Sequence, residues 1–287
     1  MIFLLVIFVF GLIIGSFLNS LIYRLETSQN FVLGRSFCPA CHHVLGLKDL
    51  FPVLSFIFLK GKCRYCQKPI SLQYPLVELA TAIVFVLVFF FVLQDQPKLI
   101  NSAIAIVISY YFIMAALLIV VFVFDLKHYL IPDEIVYSGI VVAFIYRLFN
   151  IWKLDNWDLI RNSSLEIRNF EVLLNPLASA FLAALFFYAI YHFSKGRGLG
   201  FGDVKLAFLM GLVLAFPKII VALFFAFFSG AIIGIGLIAA SGIGLMALKK
   251  KSLKSELPFG PFLVSGIFFT LFFGERVVNY YLSLLGT

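Results

Sequence analysis

Long apolar runs limit the fold of this chain more than any other feature of its sequence. A helix needs about 20 mainly apolar residues to cross roughly 30 Å of hydrocarbon. Seven runs approach or exceed that length, near residues 2–23, 75–93, 100–124, 135–150, 176–193, 219–247 and 262–285. We count residues 204–216, a shorter apolar run, as an eighth and short span. The sequence therefore predicts an all-α polytopic integral membrane protein with about eight transmembrane helices.

The positions of lysine and arginine predict how the chain is oriented in the membrane. Eight spans place both termini on one side and divide the loops into two sets. One set carries 15 of the 22 basic residues, and the other carries seven. Because basic residues concentrate in cytoplasmic loops, we assign the first set to the cytoplasm and both termini to the outside. This bias accounts for the net charge of +8, so we expect contact with anionic membrane lipid and no binding of nucleic acid.

Four cysteines in one predicted cytoplasmic loop form two C-x-x-C pairs with 21 residues between the pairs. The four are Cys38, Cys41, Cys63 and Cys66. Two such turns present four thiolates, which suit a closed, tetrahedral and structural zinc site. The reducing cytoplasm argues against disulfides. His42 and His43 could replace a cysteine ligand, but four thiolates suffice, so we expect both histidines to be solvated.

Two aspartates lie at the ends of apolar runs, on the same face of the predicted eight-span topology. Asp125 ends the third span, and Asp203 opens the sixth within a Gly-x-Gly-Asp sequence. A carboxylate near hydrocarbon costs about 2.5 to 3.5 kcal/mol on insertion scales. When two carboxyl groups lie close together, one holds a proton while the other, ionised, can draw a proton from water. The pattern indicates an aspartyl protease, in which Gly200 and Gly202 leave room for an extended substrate strand beside Asp203.

A purely structural interpretation of the two aspartates is also open from the sequence. Asp203 could cap the N-terminus of a helix, and Asp125 could pair with Lys127 or His128. Other protease classes are disfavoured, because the sequence contains no His-Glu-x-x-His motif and no serine in a nucleophile elbow.

Several motifs, taken in order along the chain, resemble those of bacterial prepilin leader peptidases, which are Gly-x-Gly-Asp intramembrane aspartyl proteases. The similarity extends over nearly the whole chain. It rests on residues 11–19, the four-cysteine loop, residues 74–79, Asp125 with residues 131–133, residues 200–205, and residues 258–262.

This resemblance implies that Asp125 and Asp203 are the catalytic pair, at the cytoplasmic face of a bacterial inner membrane. It implies a prepilin or pseudopilin substrate, cleaved between a basic leader and a hydrophobic helix, and methylation of the new N-terminus with S-adenosylmethionine. The cofactor site is unknown, with Glu78 a weak candidate whose alternative role is an interfacial charge at a helix start. We expect residues 1–100, with the zinc loop at about 24–73, to form the methyltransferase-type half, and residues 101–287 to form the protease core.

Two rival functions use parts of the same residue set. A proton-coupled or cation transporter also needs paired carboxylates, but it predicts repeat symmetry and acids near the middle of the bilayer. A membrane scaffold for pilus or secretion assembly would need the zinc loop and not the aspartates.

Overall fold

The computed structural model describes residues 2–27, 29, 34–95, 102–157, 165–196, 198–242 and 258–284. The chain divides into two compact units, Met1–Val123 and Phe124–Thr287. Within the described residues the secondary structure is helical, apart from two isolated β-bridges in the cysteine loop. The α-helices are α1 (Ile2–Glu26), α2 (Leu54–Phe58), α3 (Gln73–Asp95), α4 (Ser102–His128), α5 (Asp133–Trp157), α6 (Leu165–Ser194), α7 (Phe201–Leu214), α8 (Lys218–Gly242) and α9 (Gly260–Leu284).

Six of the described helices are long and apolar enough to cross a membrane, namely α1, α3, α4, α6, α8 and α9. This confirms an all-helical polytopic fold but not the predicted count of about eight spans. Helix α5 is long enough, but Asp133, Glu134 and Arg147 lower its apolar character. Helix α7 has 14 residues, which extend for about 21 Å and fall short of a hydrocarbon layer of roughly 30 Å. The end of the seventh of the eight predicted spans, residues 243–247, lies outside the described residues.

In the first unit, α1 and α3 approach each other closely at two glycines of α1. A β-carbon on Gly11 would lie 2.6 Å from the Ala82 Cα atom, and one on Gly15 would lie 2.6 Å from the Glu78 Cα atom. Only glycine allows this contact between backbones. The close approach brings the second half of α1 beside the first turns of α3, where Asn19 of α1 donates a hydrogen bond to the carbonyl oxygen of Tyr74.

In the second unit, α7 is the central helix and contacts α5, α6, α8 and α9. Most of its residues are buried, so it is apolar on all sides although it is short. Its last carbonyl groups need hydrogen-bond donors, as at every helix end. Arg147 of α5 supplies them, because its guanidinium group donates to the carbonyl oxygens of Leu212 at 2.8 Å and Val213 at 2.9 Å.

Candidate active site and metal centre

Asp203 lies in the first turn of α7, directly after the glycine-rich segment. Its side chain is buried, with 6% of the residue exposed. The Oδ2 atom accepts a hydrogen bond from the backbone N–H of Gly200 at 3.0 Å. The first turn of a helix stabilises negative charge, both through its free N–H groups and through the helix dipole. The sequence therefore places this carboxyl group where a carboxylate is tolerated away from water.

Asp125 lies in the last turn of α4 and is also buried, with 4% of the residue exposed. Among the described residues, its Oδ2 atom has no hydrogen-bond partner. The C-terminal end of a helix disfavours negative charge, in contrast to the N-terminal end that carries Asp203. A buried carboxyl oxygen without a partner is costly for folding alone, and it is a feature expected of a reactive site.

Ile131, in the segment between α4 and α5, lies between the two glycines that adjoin the aspartates. A β-carbon on Gly202 would lie 2.9 Å from the Ile131 Cβ atom, and one on Gly260 would lie 3.3 Å from its Cδ1 atom. The same β-carbon on Gly260 would lie 2.5 Å from the Asp125 Oδ2 atom. Asp125 and Asp203 therefore belong to one packed cluster, in which their carboxyl groups are near enough to interact electrostatically. The position that a β-carbon on Gly202 would take faces Ile131 in this structure. That Gly200 and Gly202 leave room for an extended substrate strand stays a prediction.

The contacts of Ile131 and Gly260 were not predicted from the sequence, although both residues lie in motifs noted there. The only signal was a glycine between two prolines, in residues 258–261, which indicates a constrained backbone near the start of α9.

Lys205, two residues after Asp203, forms an ion pair with a different acid, Asp133. Its Nζ atom lies 2.7 Å from both carboxylate oxygens of Asp133, at the start of α5. The ammonium group also lies 5.3 Å from the ring centre of Tyr137 and 5.1 Å from that of Phe201. Asp133 is the first residue of α5. Lys205 thus joins α7 to α5 close to Asp203.

The four cysteines form two turns of matching geometry in the first unit. In each turn the residue after the second cysteine has a positive φ, 56° at His42 and 59° at Gln67. Its N–H donates to the carbonyl of the first cysteine, at 2.8 Å to Cys38 and 3.0 Å to Cys63. An isolated bridge closes each turn at equivalent positions, Phe37 with Val44 and Lys62 with Pro69.

The sulfur atoms of Cys38, Cys41, Cys63 and Cys66 all lie within 4.8 Å of one another. Zinc–sulfur bonds of about 2.3 Å in a tetrahedron require sulfur atoms about 3.8 Å apart, and the Cys38 and Cys66 sulfurs are separated by 4.0 Å. The donor set therefore fits a closed zinc site. Burial opposes ionisation of Cys63, but hydrogen bonds from the peptide N–H groups of Cys66 and Tyr65 and from the side chains of Cys38 and Cys66 together lower its pKa to about 7.

The two histidines of the loop lie outside this sulfur cluster. The His42 ring lies 5.7 Å from the ring of Phe37, and the His43 ring lies 3.6 Å from that of Tyr65. Both histidines are exposed, as expected for solvated residues of the loop, and each ring also lies against one aromatic side chain.

Asp49 connects the segment that follows the first cysteine turn with the second cysteine turn, which contains Arg64 and Tyr65. It accepts hydrogen bonds from the Arg64 Nε atom at 2.7 Å, the Gly46 N–H at 3.1 Å and the Tyr65 hydroxyl at 3.2 Å. Burial opposes its ionisation, but the bonds from Arg64, Gly46 and Tyr65 outweigh burial and hold the pKa of Asp49 below its usual value.

Comparison with known proteins agrees with both parts of this description. The bacterial peptidase A24 N-terminal domain matches residues 9–92, and the type IV leader peptidase family matches residues 112–235. The prepilin leader peptidase/N-methyltransferase of Bacillus subtilis (strain 168) is 31% identical over 97% of this chain and 98% of that protein. The chain belongs to the type IV leader peptidase family. Proteins of the same name from Aeromonas salmonicida (strain A449) and Legionella pneumophila are 27% and 28% identical, each over 97% of this chain and 94% of that protein.

No solved structure shows a significant match to the chain. Membership in the type IV leader peptidase family confirms the resemblance noted in the sequence and makes the protein an enzyme. The transporter and scaffold alternatives gain no support. The assignment of residues 1–100 and 101–287 to two functional halves stays a prediction, as do the roles of the individual site residues.

Proposed function

We propose that this type IV leader peptidase is a membrane endopeptidase that removes the leader from prepilins or pseudopilins and then methylates the new N-terminus. The observation that carries the peptidase proposal is the buried cluster of Asp125 and Asp203. Two carboxyl groups in one buried cluster are the chemical requirement for acid and base catalysis of peptide hydrolysis. The names of the relatives support the same substrate class and both activities.

The helix ends assign the two carboxyl groups to different roles. Asp203, at the N-terminal end of α7 with a bond from the Gly200 N–H, is the carboxylate that takes a proton from the attacking water. Asp125, at the C-terminal end of α4, holds the proton and donates a hydrogen bond to the carbonyl oxygen of the scissile peptide. The proton from water then passes to the leaving amine, and the new N-terminus remains with the apolar helix of the substrate.

The orientation follows from the charge of the loops. The 15 basic residues in one predicted set of loops support a cytoplasmic face that carries both the zinc loop and the two aspartates. Both termini then lie outside the inner membrane. A labelling experiment with a membrane-impermeant thiol reagent on single-cysteine variants at the two termini tests this orientation.

The cysteine cluster would hold zinc and stabilise the loop, since four thiolates leave no open position for substrate. S-adenosylmethionine would supply the methyl group, which it carries as a sulfonium. Buried polar groups of the first unit, Asn19 and Glu78, provide a chemically suitable environment for a charged cofactor.

Substitution of each aspartate by asparagine tests the peptidase proposal. Purified protein is incubated with a precursor pilin, with and without S-adenosylmethionine, and the product is weighed by mass spectrometry. We expect D125N and D203N to abolish cleavage while the protein still folds and binds zinc. The matched control is E134Q, which changes an exposed acid in the first turn of α5 in the same unit and keeps cleavage. Full cleavage by either D125N or D203N would refute the assignment.

A further inference from the structure

The first unit contains a cavity of about 360 Å³ between α1, the start of α3 and the cysteine loop. This volume lies within the range of about 300 to 1,000 Å³ that is typical of small-molecule sites. The peptidase cluster of Asp125 and Asp203 does not line it, because all lining residues fall between Ser16 and Glu78. The cavity therefore needs a separate explanation.

Two buried hydrogen-bond acceptors line this cavity at the helix side. Asn19 of α1 is 3% exposed, and Glu78 of α3 is 7% exposed. The Asn19 Nδ2 atom donates to the carbonyl oxygen of Tyr74 at 2.9 Å, which fixes the orientation of the amide. Its Oδ1 atom then has no hydrogen-bond partner among the described residues. An orphaned buried acceptor of this kind indicates a missing donor.

Glu78 adds negative charge to the same wall. Its Oε2 atom accepts a hydrogen bond from the Val53 N–H at 2.7 Å, and the carboxylate also accepts one from the Ser16 hydroxyl. No basic side chain in the described part of the chain pairs with it. Four basic residues line the cavity away from Glu78, namely Arg24, Arg35, Arg64 and Lys68. Of these, Arg64 is engaged with Asp49, and Arg24 donates to the carbonyl oxygen of Gly34. A buried carboxylate without a counter-charge is unfavourable, so this wall is suited to a ligand that is both a hydrogen-bond donor and a cation.

The rest of the cavity has a different chemistry. Its lining includes aromatic and aliphatic side chains, among them Tyr23, Phe37, Leu45 and Phe56. Tyr23 and Phe37 form an edge-to-face pair with ring centres 5.7 Å apart. A ligand that fits the whole cavity therefore combines an ammonium group with an apolar or aromatic body.

We propose that the cavity binds the primary ammonium group of a molecule that takes part in methylation, with Asn19 Oδ1 and the Glu78 carboxylate as its hydrogen-bond acceptors. This inference rests on the methyltransferase activity in the proposed function and gives it a site. Two molecules in that reaction carry the required group. One is S-adenosylmethionine, through its amino-acid end, and the other is the processed pilin, through its new N-terminus.

Binding measurements on the full-length, zinc-loaded protein in detergent test the proposal by isothermal titration. S-adenosylhomocysteine probes the cofactor, and a synthetic peptide with the mature pilin N-terminus probes the acceptor. In E78Q the shape of the side chain is kept and its charge is removed. We expect E78Q to weaken one of these two probes by about tenfold or more, as for loss of a charge-assisted hydrogen bond. The matched control is E275Q, which makes the same change at an exposed glutamate on α9, outside the cavity, and should leave both affinities unchanged.

The pattern of loss identifies the source of the ammonium group. Weaker binding of S-adenosylhomocysteine alone assigns the site to the cofactor, and weaker binding of the peptide alone assigns it to the processed pilin. Unchanged affinity for both probes in E78Q overturns the proposal. Retained zinc content and retained leader cleavage would show that E78Q is folded. The peptidase assignment is tested separately, by D125N and D203N, so its failure can be told apart from failure of the ammonium site.

A comparison of probes on the unaltered protein covers the case in which E78Q does not fold. Methylthioadenosine lacks the amino-acid end of the cofactor, and an acetylated peptide lacks the free ammonium. We expect at least one of these two to bind about tenfold or more weakly than its amine-bearing counterpart. Equal affinities within both pairs, or no binding of either amine-bearing probe, would contradict an ammonium site.

Discussion

The contact between Gly260 and Asp125 gives the sharpest prediction, because it can be perturbed without removing a carboxyl group. In G260A the added methyl carbon would lie 2.5 Å from the Asp125 Oδ2 atom and 3.1 Å from its Cγ atom. Ordinary contact begins near 3.4 Å, so the carboxyl group must shift by roughly 1 Å. A misplacement of about 1 Å can lower a reaction rate by about 10²-fold. We expect cleavage to fall by that order.

The fold should survive this change. Alanine is favoured over glycine in helices by up to about 1 kcal/mol, and Gly260 is the first residue of α9. The assay measures kcat for cleavage of a precursor pilin, with thermal unfolding as the test of folding. The matched control is G236A in α8, where an added β-carbon meets nothing within 4 Å. If G260A cleaves as fast as the unaltered protein, Asp125 does not act from the position described here.

Three further changes test other parts of the structure. C63S removes one of the four sulfur ligands, so bound zinc measured by atomic absorption should fall well below that of the unaltered protein; full retention would exclude a four-sulfur site. D49N removes the negative charge and one of the two acceptor oxygens that bind Arg64, Gly46 and Tyr65, and the melting temperature at pH 7 should fall by the equivalent of about 1 to 3 kcal/mol. Because the folded-state pKa of Asp49 is lowered, its stabilising effect is complete above the unfolded value of about 3.9 and is lost as the pH falls through the folded value, so the difference between D49N and the unaltered protein should shrink in acid. K205M breaks the ion pair with the half-exposed Asp133, so it should cost at most about 1 kcal/mol and reduce cleavage less than about tenfold; a loss as complete as in D203N would instead make Lys205 part of the catalytic machinery.

The sequence was sufficient to predict those parts of the candidate sites that depend on residue type and local spacing. The spacing of the cysteines predicted the cluster of Cys38 and its three partners, because two C-x-x-C turns can bring four sulfurs together without help from distant elements. The two aspartates could be singled out because an acid at the end of an apolar run is costly. These inferences depend on local spacing and on composition.

Contacts between distant helices could not be predicted in the same way. The position of Ile131 against Gly202 and Gly260 depends on three separate segments, and no periodicity in one segment encodes it. The span count had a related difficulty. An apolar run of about 13 residues has the same composition whether it crosses thin membrane or lies buried among other helices, and α7 is surrounded by protein.

Contacts between α5 and α7 fix the depth of Asp203, the proposed catalytic carboxylate, in the membrane. The helix is held near its start by Lys205 on Asp133 and at its end by Arg147 on the carbonyl of Leu212. The two residues of α5 that make these contacts, Asp133 and Arg147, are 14 positions apart, or about 21 Å along that helix. Contacts this far apart fix the position of α7 along the axis of α5. The depth of Asp203 in the membrane is therefore set by contacts within the protein and not by the thickness of the lipid bilayer. A thicker or thinner bilayer can tilt the outer helices without sliding α7 along α5.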